Sequence, residues 1–494
     1  MKPRLSASVI VPASRRPRGR LGRIGASGSR GSVLIIVMWI CLGLVALTLY
    51  FANSMSSEMT AANNRVAEVA ARQAVAAGTR YAAYVLTQHA VGGVMPSIDD
   101  YKSEAVLVGD DPVVRNNAEF WFIGRNYDEL PTQLLNEPYY SLVDEASKLN
   151  LNTATSAMIQ ALPLPGMTPE FADAIVAWRT ATGTAASEAE NYYTQLVPPR
   201  HNKGAPYETT DEVRLVNGAM LDILLGEDTN RNGTLEANED DADASAPRDD
   251  QNGELQAGLL EYVTVYSKEP TTSASGANRI NITTLNTAQA VQALVTRLTT
   301  AGITQQRATQ IGARVSAAQV PVQAGRGGGA PATTPTPYAS VAEFMLSAQM
   351  TAEEYAMVHT EFTAVAAGAT GLVNVNTATA AVLGAITGIG PENAPALVAY
   401  RQSHPDEMTS FAWLSNVLSA AAIRRAGPYI TDQSYQFSAD IAAVGPNGRG
   451  YRREKVVFDM STGKPRIVYR QDFTGYGWAL GVNVRRNLSD ANIN

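Results

Sequence analysis

Apolar positions change their period along the chain, and each period implies an element. Val33 to Ala52 (VLIIVMWICLGLVALTLYFA) carries no charge. At about 1.5 Å rise per residue, about twenty such residues span a hydrocarbon layer of about 30 Å. Beyond that run, Met59, Val66, Val69, Ala70, Ala77, Tyr81, Tyr84 and Val85 recur at helical spacing, with Glu68 placed to pair with Arg72 one turn on. The pattern predicts one long helix reaching Leu86. Period two then takes over: Ala118–Gly124 (AEFWFIG) and Tyr139–Val143 read as strands, as do Tyr435–Val444, Tyr451–Met460 and Pro465–Arg470 around the turns Asn447-Gly448 and Thr462-Gly463. The predicted fold is α+β, a long helix on an antiparallel sheet split between residues 100–147 and 430–485, with everything between them an insertion.

The insertion repeats itself. Lys148-Leu-Asn-Leu-Asn-Thr-Ala-Thr155 and Leu372-Val-Asn-Val-Asn-Thr-Ala-Thr379 nearly coincide, and Arg279-Ile-Asn-Ile-Thr-Thr284 is a weaker copy. Each precedes a helical pattern, so each reads as a strand-to-helix joint with a Thr or Asn cap. Downstream come Gly166-Met167 to Ala172, Gly302-Ile303 to Ala308 and Gly388-Ile389 to Ala394. Arg179 and Arg401 stand two turns further on, and Arg314 is one residue out of register. This is the spacing of helix-hairpin-helix units, which often place backbone amides and a basic residue on phosphate. Here the turns carry Glu170 and Glu392, and only the middle copy, with Arg297 and Arg307, is basic. The structural reading of Gly as turn former and Ala as close-packing residue is therefore preferred.

Charge narrows the function classes. The 494 residues carry 17% charged side chains and a net charge of -7, which disfavours nucleic acid as a partner. A lone cysteine, Cys41, excludes an intramolecular disulfide or a thiolate cluster. His89, His201, His359 and His404 are far apart, and HExxH and GxSxG are absent, so no catalytic centre is expected. The first thirty residues hold Lys2, Arg4, Arg15, Arg16, Arg18, Arg20, Arg23 and Arg30 and no acid, which places the N-terminus in the cytoplasm and the bulk across the membrane. The apolar run exceeds the 7 to about 15 residues of a signal peptide core. Gly327–Gly329, ahead of Ala-Pro and Thr-Pro-Thr-Pro, reads as a flexible linker.

One segment carries metal chemistry. Asp228-Thr-Asn230-Arg-Asn232-Gly233-Thr234-Leu-Glu236-Ala-Asn-Glu239 fills the calcium-loop template. Asp228, Asn230 and Asn232 supply side-chain oxygens, Thr234 its carbonyl, Glu236 a contact directly or through water, and Glu239 a bidentate carboxylate. Val213–Leu225 is the expected entering helix. A second piece, Asp249, Asp250, Asn252 and Glu254, copies the middle of the loop but has Arg248 and Leu259 where the first and last ligands belong. Asp240, Asp241, Asp243, Asp249 and Asp250 either complete a composite site or repel one another without metal. The expected cofactor is structural Ca2+.

Arg30-Gly31-Ser32, directly ahead of the apolar helix, resembles a prepilin peptidase site. In type IV pilin-like proteins, cleavage follows the glycine and the new amino group is methylated, so the resemblance implies Gly31 and Ser32 as the processing residues. Ile36 stands where that family usually has glutamate. This, with the Lys-x-Asn-x-Asn-Thr joint and Ile175-Val-Ala-Trp-Arg179, resembles the type II secretion protein K minor pseudopilins, whose members lack that glutamate. The resemblance implies a non-enzymatic subunit at the tip of a periplasmic pseudopilus. Its partners would be other minor pseudopilins, prepilin peptidase, the inner membrane and secreted cargo. The rivals are a membrane-anchored helix-hairpin-helix DNA receptor for uptake and a calcium-dependent envelope adhesin. The expected divisions are a leader 1–31, the helix 32–95, first sheet part 96–147, the insertion 148–319 with the loop 228–239, a Gly/Pro linker 320–338, a third repeat 339–429 and the C-terminal strands 430–485.

Overall fold

The computed structural model describes residues 32–126, 138–242, 244–246, 248–318 and 338–490. The leader with Gly31, the linker stretch 320–337 and Asp243 lie outside the described residues. The chain forms two units, 1–63 and 64–494. In the first, helix α1 (Ser32–His89) starts at Ser32, and its residues 33–63 are exposed. By length and composition α1 can cross a membrane. It ends at His89 rather than Leu86, ahead of Gly92 and Gly93, both at positive φ.

In the second unit, α1 turns small residues toward a sheet: Ala67, Ala71, Ala74, Val75, Ala82, Val85 and Leu86 are buried at helical spacing. The strands follow in two groups. β1 (Val106–Val108), β2 (Ala118–Ile123) and β3 (Val143–Asp144) come first. The expected strand over 139–143 shrinks to β3 and a bridge between Ile123 and Tyr140.

The insertion follows as three brackets, each closed by a two-residue parallel pair. β4 (Leu149–Asn150) pairs with β5 (Val263–Thr264), β6 (Ile280–Asn281) with β7 (Phe362–Thr363), and β8 (Val373–Asn374) with β9 (Ile430–Thr431). Parallel pairing requires a crossover, and helices provide it. In the first bracket, α2 (Ser156–Gln160) is capped by Thr155 and leads to α3 (Pro169–Arg179). Thr287 and Thr379 cap the corresponding helices Ala288–Thr300 and Ala380–Ala385. The bracket boundaries fall at 265–279 and 364–372, so the Gly/Pro stretch belongs in sequence to the second bracket. Val213–Leu225 is not one helix: a 3₁₀ turn, Thr210–Leu215, and a helix, Leu221–Leu225, are separated by Gly218 at φ 86°.

The chain then returns as β10 (Gln436–Gly445), β11 (Arg449–Asp459) and β12 (Arg466–Asp472), joined by a turn with Asn447 and Gly448 at positive φ. The antiparallel sheet runs β1-β2-β10-β11-β12, with β3 also on β10. Its alternation is strict. Phe120, Phe122, Phe437, Ile441, Val456 and Phe458 face α1, while Trp121, Ile123, Ala442 and Val444 face away. That second face is covered in part by a C-terminal helix, Gly481–Asp490, where only strands were expected. Leu480, Val484 and Leu488 recur every four residues, a helical period that places them against Trp121 and Val444. A long apolar helix with an antiparallel sheet is compatible with a pilin-like fold.

Two glycines set the spacing between α1 and the sheet. A Cβ at Gly78 would meet Ile441 Cγ2 at 2.8 Å, and one at Gly445 would meet the Ala67 carbonyl oxygen at 2.2 Å. The second obstacle is backbone and cannot rotate away. We expect Gly445→Ala to cost about 1–3 kcal/mol by overpacking. Gly475→Ala, which meets nothing within 4 Å, should leave the denaturation midpoint unchanged; equal effects would refute the close-approach account.

Candidate metal centre and the seam beneath it

The loop 228–239 lies inside the first bracket, and its stem is closed by backbone. Gly226 bridges Ala257, Glu227 N donates to Gln256 O at 2.9 Å, and Gly258 N donates to Leu225 O at 2.9 Å. Within the loop, side-chain oxygens turn inward because they accept the loop's own amides. Asp228 Oδ1 and Oδ2 accept from Asn232 N and Gly233 N, both at 2.9 Å, and Asn230 Oδ1 shares the Asn232 N–H at 2.9 Å. Asn232 Oδ1 accepts from Thr234 N at 2.8 Å, and the Glu239 carboxylate accepts from Thr229 N at 2.9 Å and Glu236 N at 3.1 Å. Gly233 sits at φ 74° at the sharp turn. Asp228, Asn230, Asn232, Thr234 and Glu239 are buried and Glu236 is half-buried, bridged to the Asn230 and Asn232 amides at 3.1 and 3.3 Å.

This burial has an electrostatic cost. Desolvation, then the Asp228 charge, pushes the Glu239 carboxyl up to about 8. Burial also raises Asp228, against the pull of Arg125, and raises Glu236. The Thr234 hydroxyl is buried without a hydrogen-bond partner among the described residues. Among those residues no three His, Cys, Asp or Glu side chains form a metal-holding group of their own, so the donor set depends on the amide and carbonyl oxygens. All are hard oxygen donors, which suits a hard divalent cation.

The second segment is looser. Asp249 accepts from Asp241 N, Ala242 N and Gln251 N at 2.9 Å each, Asp250 from Asn252 N at 3.2 Å, and Asn252 from Glu254 N at 2.7 Å. Asp250, Asn252 and Glu254 are exposed. These are turn-forming bonds, and the chain brings the segment near Glu227, whose carboxyl is raised by burial and by Asp250 and Asp249. Of the two residues expected to mark a processing site, Ser32 opens α1 and Gly31 lies outside the described residues.

The loop rests on groups that no local motif announced. Arg453 of β11 is fully buried, pairs with Asp440 through Nε–Oδ1 at 2.8 Å and Nη2–Oδ2 at 2.6 Å, and donates onward to the carbonyls of Asn230 and Arg231. Arg125, just past β2, is held by Glu261 at 2.7 and 2.9 Å, donates to Arg231 O at 3.1 Å, and lies 3.8 Å from Asp228. On the other side, Asn230 and Asn232 donate to the carbonyls of Trp478 and Ala479 at 3.1 and 3.4 Å. The only sequence signal was the charged Arg453 and Lys455 at alternate positions of a strand.

The arginines offered to phosphate are engaged inside the fold. Arg179 donates to the carbonyls of Leu151 and Ala154 (2.7 Å to the latter). Arg401 donates to the equivalent Val375 and Ala378 at 3.1 and 2.9 Å. Arg297 pairs with Glu361, and Arg307 with Glu354 at 2.6 Å. A Cβ at Gly390 would stand 2.4 Å from a Glu392 carboxylate oxygen, so an incoming anion meets a resident negative charge at that turn.

No family model and no curated protein matches this chain. Among solved structures it is similar to a chain of the GspK-GspI-GspJ complex from the enterotoxigenic Escherichia coli Type 2 Secretion System. The TM-score is 0.33 and the identity 10%, over 81% of this chain and 96% of that one. That TM-score is too low to carry an argument, and the functional reading rests on this chain's own residues.

The raised carboxyls fix the sign of a pH effect. A carboxyl whose folded pKa exceeds its unfolded value ionises more readily in the unfolded chain, so stability falls as pH rises between the two values. For Glu239 that window runs from 4.5 to about 8. Asp144, buried and raised from 3.8 to about 6, acts in the same direction at its lower end. With chelator present we expect the melting temperature to fall between pH 5 and about 8, and Glu239→Gln to flatten the upper half of that fall; a rising profile would contradict the assignment.

Proposed function

We propose that this chain is a minor pseudopilin of the type II secretion kind, inserted by α1, cut after Gly31, and placed at the filament tip where its bulk is accommodated. The observation that carries this reading is α1. It is a single helix, Ser32–His89, apolar at its start and buried against an antiparallel sheet at its end, and Arg30-Gly31 stands directly before it. An apolar helix of this length suits lateral packing among similar helices in a membrane. The insertion between β3 and β10 is too broad to repeat within a tight helical stack, which favours a terminal position. The reading places the N-terminus in the cytoplasm, the bulk in the periplasm, and other minor pseudopilins and exported cargo as partners. The membrane form should yield a chain that begins at an N-methylated Ser32 in mass spectrometry and co-purifies with pilin-like subunits; an intact Met1 would remove the reading.

Calcium is the structural cofactor in this proposal, held by Asp228, Asn230, Asn232, the Thr234 carbonyl, Glu236 and Glu239. A divalent cation would supply the countercharge that the buried carboxylates lack, and would order the loop against Trp478 and Ala479. Chelation should lower the melting temperature, and Asp228→Ala with Glu239→Ala should erase the calcium-dependent shift. A melting temperature indifferent to calcium would reject the site while leaving the pseudopilin reading untouched.

A further inference from the structure

The two asparagines of the metal loop each have a second working end. Asn230 and Asn232 stand at the third and fifth loop positions, where the calcium template takes aspartate or asparagine alike. An aspartate there would add charge for a dication, so a carboxamide at both positions needs another reason. The structure supplies one on the NH2 side. Asn230 Nδ2 donates to Trp478 O at 3.1 Å and Asn232 Nδ2 to Ala479 O at 3.4 Å, and each also donates to the Glu236 carboxylate, at 3.1 and 3.3 Å. A carboxylate has no proton to give. In place of either amide it would face a carbonyl oxygen and Glu236 with like charge.

These bonds grip the start of the C-terminal helix, Gly481–Asp490. The helix has ten residues, fewer than the roughly 12–15 at which isolated helices become even marginally stable, so it stands only by docking. Its apolar grip is narrow: Leu480 and Val484 are buried and Leu488 partly so against Trp121 and Val444, whereas Val482 is exposed. Trp478 is turned back onto the same joint, with Nε1 donating to Gly481 O at 2.8 Å and its ring 5.0 Å from that of Tyr451. Arg485 of the helix lies over the Trp478 ring at 5.4 Å, and its charge draws on the Glu236 carboxylate. Loop and helix thus share Trp478, Ala479 and Glu236.

We infer that the metal loop is a clamp for the C-terminal helix: calcium on the Asn230 and Asn232 carboxamide oxygens tightens the hold of their NH2 groups on the Trp478 and Ala479 carbonyls, and its removal frees the helix from the second face of the sheet. Two effects carry the coupling. A cation that fixes the carboxamides meets in advance the side-chain entropy that the clamp otherwise costs, and an amide polarised at its oxygen is a stronger donor at its nitrogen. Linkage makes the coupling reciprocal, so the docked helix must tighten calcium binding by the same factor. The inference rests on the calcium reading given above and extends it to a segment that contributes no ligand.

The test is hydrogen exchange on the full chain in detergent, read by mass spectrometry with calcium and with chelator at fixed ionic strength, beside calorimetric titration of calcium. Residues 481–490 should exchange about tenfold faster without calcium, at the lower end of typical couplings between sites, while the distant helix Ala380–Ala385 keeps its rate. In Asn230→Asp with Asn232→Asp, calcium should still bind, and 481–490 should exchange fast in both conditions. Binding with no change at 481–490 in the unaltered chain, or protection retained in that double variant, overturns the clamp alone; a titration without binding removes the calcium reading together with it. Should the double variant fail to fold, Val484→Asp with Leu488→Asp approaches from the other end. Undocking the helix in that way should weaken calcium binding about tenfold, and an unchanged affinity refutes the clamp.

Discussion

Arg453 is a guanidinium with no access to water, and the second face of the sheet is organised around satisfying it. Asp440 on the adjacent strand takes two of its donors, and the Asn230 and Arg231 carbonyls of the insertion accept two more. Breaking a buried pair by removing one partner typically costs about 3–5 kcal/mol, because the survivor is left charged and dry. The head therefore cannot release the loop without stranding its own cation. Insertion and sheet are joined by a polar constraint of fixed geometry rather than by a greasy contact that could slide.

A second polar seam repeats the logic nearer β3. Asp144, fully buried, receives the Thr377 hydroxyl at 2.5 Å and the Ser434 hydroxyl, and the Asn374 amide at 3.4 Å; Asn374 also donates to Ser434 at 2.7 Å. These partners come from the third joint and from the segment leading into β10. One carboxyl thus registers the beginning and end of the insertion against the sheet. The first joint is handled by Glu145, which accepts from Thr264 at 2.5 Å and pairs with Lys455.

Local patterns were legible where a period or a template governed them. The apolar run, the β10–β11 turn at Asn447-Gly448 and the Thr caps all follow from backbone rules acting over a few residues. The turn of the loop 228–239 was legible for the same reason, since spacing brings its side-chain oxygens onto the loop's own amides. What stayed hidden depends on distant residues meeting. Arg179 and Arg401 were placed by spacing alone, with the structural reading of their hairpins preferred over phosphate binding, and only the folded chain shows each reaching back to the carbonyls of its own joint. Arg125, Glu261 and Asp440 lie far apart in sequence, so no spacing could nominate them as the floor of the site. The C-terminal helix was missed because Leu480, Val484 and Leu488 form too short a stripe to stand out without Trp121 and Val444 to receive it.

The parallel pairs that close the brackets have an architectural consequence. Because β4 lies beside β5, β6 beside β7 and β8 beside β9, each bracket leaves almost where it entered. A segment with adjoining ends can be lengthened at its outer loops while its points of entry and exit keep their places. Growth at those loops would add surface without moving the parallel pairs by which the insertion meets the sheet.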